Sequence, residues 1–170
     1  KGIDPANPDR PARASYWDVS GRRWPDGCWL TIFDPGAALV EVELRSVVVH
    51  EVYHCFQDEW LDDFDAWQKM PPWLTEGSAR WVGEVLHPTS TLGVDEEWKE
   101  WFSRPAKPLF TRGFDAVGFY GHLQDSAGPA AVWAALRPAV LAAKAGGSPA
   151  AYGALLGVQR QKVVGSWAAS

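Results

Sequence analysis

Two histidines four residues apart bracket a glutamate in His50-Glu51-Val52-Tyr53-His54. On an α-helix each residue advances about 100°, so positions four apart are neighbours on one face. Both imidazoles can then reach a single ion, and zinc is the usual guest of that arrangement. Glu51 is offset by one step. It lies beside the ion rather than on it, where a carboxylate can take a proton from a water molecule that the ion has acidified. With the chain's own His and Glu frequencies, the pattern arises by chance in roughly 1 of 200 sequences of this length. The bland alternative is a helix with two histidines that bind nothing.

Two histidines leave a catalytic zinc site one protein ligand short. A third histidine six residues after His54 would define the metzincins, but that position is Trp60, and Gln57 stands where their glycine belongs. The better candidate is Glu76 in Trp73-Leu74-Thr75-Glu76-Gly77-Ser78-Ala79, 22 residues after His54. The intervening acidic stretch is long enough to turn the chain back. A helix starting there would aim Glu76 inward, and small Gly77 and Ala79 would let two helices approach closely. Glu84, two turns beyond Glu76, is the alternative ligand. Cys55 follows a ligand histidine directly, so it points about 100° away. It could ligate only by distorting the helix, and a disulfide with Cys28 is the expected use of both cysteines.

His50–His54 together with Trp73–Ala79 resembles the gluzincin metallopeptidases, whose aminopeptidase members carry a Trp-Leu-Asn-Glu-Gly-Phe-Ala-like segment. The resemblance spans about residues 44–86. It extends more faintly to 113–123, where Gly118-Phe119-Tyr120-Gly121-His122-Leu123 resembles the helix that follows in that fold. It implies Zn²⁺ held by His50, His54 and Glu76, with Glu51 as general base and a peptide or protein as substrate. The Gly-x-Met-Glu-Asn signature that reads a substrate amino terminus is absent, so the implied activity is that of an endopeptidase. The family often places an oxyanion-stabilising tyrosine at the start of the third helix, and the matching position is Phe114, which has no hydroxyl. Tyr120 and His122 are the nearby substitutes, although a helical tyrosine between Phe119 and Leu123 reads first as core. Loss of one oxyanion donor costs about 10²–10³ in rate. A zinc-stabilised pseudo-enzyme, or a module that binds peptide or glycan without catalysis, is therefore the rival reading.

The elements that must position these residues can be read coarsely. Residues 1–27, rich in Pro, Asp, Arg and Gly, predict an irregular arm with turns at Asn7-Pro8 and Pro25-Asp26-Gly27. Cys28–Phe33 predicts a strand. The alternation at 39–44 fits a second strand or the start of the next helix. Helical spacing of Val48, Val49, Val52, Tyr53 and Phe56 predicts a helix over 45–60. Asp58, Glu59, Asp62, Asp63 and Asp65 then form a solvated connection whose spacing matches no EF-hand loop. Pro71-Pro72 opens a helix over 73–86 that stops at Pro88. A short helix at 96–102 lies in an otherwise loop-like region 88–113. A third helix covers 115–125, alanine-rich helices cover 130–144 and 149–157, and the last segment reaches Ser170 without a stop signal. The expected architecture is α+β but mostly α. One zincin-like domain over 28–170 would carry a short sheet from 28–44 over the His50–His54 helix. An edge at Trp29–Phe33 could pair with an extended peptide, and Trp29, Trp60 and Trp73 could line the cleft.

Composition sets the outer limits. The chain has 170 residues, 46% of them hydrophobic, and a net charge of −5. It has no basic run beyond Arg22-Arg23, which argues against nucleic acid as a partner. It has no uninterrupted apolar stretch of spanning length, which argues against a membrane span. Eleven tryptophans and a possible disulfide lead us to expect a secreted or cell-envelope protein. Oligomeric state is not fixed by these features.

Overall fold

The valine-rich stretch ahead of His50 is helical from Glu41, so the ambiguous segment at 39–44 resolves as the entry to helix α2, Glu41–Leu61. Glu41 and Glu43 lie in its first turn, where the positive end of the helix favours carboxylates. Asp62 ends it in the left-handed region at φ 47°. The structure, a computed structural model, describes residues 8, 11–15, 22–23, 27–88 and 94–157. The expected turns at Asn7 and Pro25-Asp26 and the segment 158–170 lie outside the described residues.

A strand needs a partner, and the arm supplies it. β1 (Ala12–Ser15) runs antiparallel to β2 (Trp29–Ile32), with Ala12 opposite Ile32 and Ser15 opposite Trp29. The first 27 residues are therefore not irregular throughout, and the sheet is not built from 28–44 alone, which supplies only β2. A run as short as Ala-Arg-Ala-Ser carries too little hydrophobic pattern to be seen as a strand. Its alanines instead let the backbone lie close to a helix. Ala12 is fully buried, and β1 is the strand that packs on α2. The Cys28–Cys55 disulfide fastens the start of β2 to the same helix. A four-residue helix α1 (Asp34–Ala37) links the sheet to α2.

The acidic connection is more ordered than its charge suggests. It contains helix α3 (Phe64–Gln68), capped by Asp63, which accepts from the Ala66 N–H at 3.0 Å. Asp58 is 1% exposed rather than solvated. Glu59 and Asp62 both pair with Arg23, while Lys144 reaches Asp63 at 3.2 Å and the Leu61 carbonyl at 3.0 Å. Charge alone reads as solvent-facing, but this segment spends its carboxylates on a cap and on ion pairs.

Helix α4 (Pro72–Leu86) packs along α2, and α5 (Val94–Ser103) follows. Two 3-10 turns, Leu109–Thr111 and Phe114–Ala116, lead into α6 (Val117–Ala127). Helix α7 (Pro129–Leu156) is broken by non-helical Gly146 and Gly147, so its two arms correspond to the two alanine-rich helices expected. The core lies among α2, α4, α6 and α7 around Trp73, Trp81, Phe119, Tyr120 and Leu136. Among the described residues this is a mostly helical α+β domain with one two-stranded sheet, and no helix is long and apolar enough to cross a membrane.

Close approach of α4 to the 3-10 turn at 114–116 depends on Gly77. A Cβ there would lie 2.7 Å from the Ala116 Cβ and 3.2 Å from the Gly113 carbonyl oxygen. Neither backbone nor a methyl group can swing away, so overpacking of about 1–3 kcal/mol is expected for Gly77→Ala. Urea unfolding should register that loss. Gly118 plays the same part for α5, since its Cβ would overlap the Trp101 ring at 2.3 Å.

Candidate metal centre

α2 presents His50 and His54 one turn apart, and α4 brings Glu76 against them from its first turn. His54 Nε2 lies 3.0 Å from His50 Nε2, and Glu76 Oε2 lies 3.2 Å and 3.3 Å from the same two nitrogens. The three donors form a nearly equilateral triangle in which each residue offers one ligand atom, and this group could hold a metal ion. It is the only such group among the described residues that includes both motif histidines. The three side chains expected as ligands thus lie within reach of one another.

Electrostatics bind the triangle together. Burial holds the His50 imidazole below its ordinary range, opposed by the hydrogen bond and charge of Glu76 and helped by His54. For His54, burial also acts downward. The hydrogen bond and charge of Glu76, the charge of Glu51 and the contact with Gln57 outweigh it, and the ring is pushed up to about 9. Burial works against ionisation of Glu76, yet the two imidazoles overcome it and hold its carboxyl well below the usual carboxylate range.

Glu51 is half-buried beside the triangle, not part of it. Its Oε2 accepts from the Ala14 backbone N–H at 2.8 Å. The sheet therefore reaches the centre through β1, whereas the sequence pointed to Trp29–Phe33 as the edge near the site. The hydrogen bond from Phe33 N–H to the Pro11 carbonyl, at 3.0 Å, turns Pro11 towards β2. By strand alternation Arg13 and Ser15 also face β2, and Ala12 and Ala14 face the opposite edge.

The remaining candidates fall into place around this core. The Phe114 ring stacks on His50 at 5.6 Å with 46% of its surface exposed, so it sets an apolar face beside that imidazole. Tyr120 is fully buried on α6, and burial pushes its hydroxyl well above its usual range. His122 is half-buried on α6 and outside the metal group. Glu84 does not replace Glu76, because it accepts from Trp98 Nε1 at 3.2 Å on the α5 side of α4. Trp73 does not line a cleft: it is fully buried and donates from Nε1 to Ser148 Oγ at 2.9 Å. Trp67, which the sequence did not single out, meets His54 edge-on at 5.9 Å. Gln57 was also missed, and its Oε1 lies 2.8 Å from His54 Nδ1. A polar residue three positions after a ligand histidine, on the same helix face, was the available signal.

No protein-family model, no curated protein and no solved structure matches the chain.

Proposed function

We propose that this domain is a zinc-dependent endopeptidase of the gluzincin type. The observation that carries the reading is the donor triangle with Glu51 alongside. Its edges of 3.0, 3.2 and 3.3 Å match the separation of about 3.3 Å between ligand atoms on a tetrahedral zinc with bonds of about 2.0–2.1 Å. Two imidazoles and one carboxylate are also a donor set in which catalytic zinc sites leave one position open. Bound zinc would supply a Lewis acid that acidifies water and polarises a peptide carbonyl.

The chain's own groups divide the remaining work. Glu51 keeps one carboxylate oxygen on the Ala14 N–H. The other is free to accept a proton from the attacking water and deliver it to the leaving amine. The disulfide supports a secreted or cell-envelope setting, where such bonds persist.

The test uses the whole protein and its metal content. Protein refolded with zinc should hold one ion per chain and cleave members of a quenched-fluorescent peptide library. Chelation should abolish cleavage, and added zinc should restore it. A preparation without stoichiometric metal would refute the reading. Phe114 on His50, where the family has a hydroxyl, favours a second reading: the metal stabilises a binding module that has lost catalysis. Stoichiometric zinc with no cleavage of any library member would select it.

A further inference from the structure

Gln57 is fully buried on α2, and its amide meets groups of opposite polarity at its two ends. One end lies 2.8 Å from His54 Nδ1. The other lies 3.2 Å from the Thr75 carbonyl oxygen and 3.0 Å from Ser78 Oγ, both on α4. A backbone carbonyl can only accept, so the NH₂ end must be the one that faces Thr75. Ser78 spends its own hydroxyl proton on the Leu74 carbonyl, so its oxygen also faces Gln57 as an acceptor. The Gln57 carbonyl oxygen is thereby left for His54. A carbonyl oxygen cannot donate, so His54 Nδ1 must carry a hydrogen.

From this chain of donors and acceptors we infer that Gln57 is a positioning residue whose amide fixes the His54 proton on Nδ1 and reserves Nε2 for the metal. Nε2 is the nitrogen that lies 3.0 Å from His50 Nε2 and 3.3 Å from Glu76 Oε2. The assignment rests on reading the triangle as a metal centre and adds how that centre is set. Ultimately it is set by the fixed polarity of the Thr75 carbonyl, one residue before the ligand Glu76. One side chain therefore orients a ligand on α2 and ties it to the turn of α4 that carries another. Outer groups of this kind raise metal affinity by holding ring and tautomer in place.

The chemistry explains why the residue is an amide. Glutamate is as long and accepts from His54, but its second oxygen would face the Thr75 carbonyl without a proton between them. Methionine fills similar volume with neither polar end. Asparagine has both ends but is one methylene short of spanning the helices.

The test reads the proton directly. In the full chain labelled with ¹⁵N-histidine, stripped of metal or loaded with zinc, His54 should show a slowly exchanging Nδ1 proton with a cross-peak to the Gln57 side chain. Gln57→Met and Gln57→Leu, which have no acceptor, should keep the wild-type far-UV circular dichroism, lose that protected proton and bind zinc about 10–100-fold more weakly in chelator competition. A wild-type His54 without a proton on Nδ1 overturns the assignment, whatever the variants do. So does a Gln57→Met protein that keeps the protected proton and binds zinc within twofold of wild type. If the variants do not fold, the wild-type spectrum decides alone. Wild type that takes up no zinc refutes the peptidase proposal, whereas the Nδ1 proton in metal-free protein still tests Gln57, so the two failures are distinguishable.

Discussion

Glu51→Gln should leave one zinc per chain and lower kcat/KM for peptide cleavage by about 10²–10⁴-fold, the range that general-base catalysis supplies. The substitution isolates proton transfer because glutamine keeps the carbonyl oxygen that can accept from Ala14 N–H. The contact between β1 and α2 therefore survives, and urea unfolding should move by less than about 0.5 kcal/mol, as for changes that break no buried partner. An amide at this position can accept a hydrogen bond but cannot take a proton at neutral pH. His50, His54 and Glu76 are untouched, so chelator competition should return the wild-type affinity. Equal cleavage by wild type and variant would sink the assigned role of Glu51. Loss of zinc from the variant would mean instead that Glu51 supports the ligands, which its charge near both imidazoles makes a fair alternative to measure.

The centre was legible in the sequence because helical spacing alone brings His50 and His54 together and turns Glu51 aside. Glu76 was legible through its helix start, since Pro71-Pro72 and the small Gly77 and Ala79 describe a helix that begins there and lies close to a neighbour. Its arrival within 3.3 Å of both imidazoles is a tertiary fact that the spacing made plausible but could not measure. What stayed hidden was the sheet. Ala12–Ser15 has no β-branched or aromatic residue, and its partner lies beyond a long connection, so neither propensity nor alternation marks it. Burial of Asp58 and Trp73 was hidden for a related reason. A charge cluster predicts solvent, and a tryptophan beside a ligand predicts a cleft, only until packing partners are known. Gln57 illustrates the same limit at the scale of one side chain. Its residue type permits an amide bridge, but only the meeting of α2 with α4 supplies the two ends.

Removing the disulfide should separate the zinc ligands from the group that acts on the substrate. Cys28 and Cys55 are 27 residues apart, and closing a loop of that length stabilises the fold by about 3–4 kcal/mol in the chain-entropy account. The double variant Cys28→Ser/Cys55→Ser should therefore melt about 10 °C lower, given about 2–4 °C per kcal/mol for a domain of this size. The effect on function should be uneven. His50, His54 and Glu76 sit on α2 and α4, whose mutual packing does not run through the sheet. Zinc affinity below the melting transition should stay within about twofold, far less than the roughly 10–100-fold that loss of an outer group at a ligand costs. Glu51 depends on β1 through Ala14, and β1 depends on β2, which the disulfide holds to α2. Loosening that strand by about 1 Å is enough to cost on the order of 10²-fold in cleavage at the same temperature. Zinc affinity and cleavage falling together would show that the sheet supports the ligands as well. An unchanged melting temperature would show that strand pairing and the contacts of β1 with α2 hold the sheet without the covalent link.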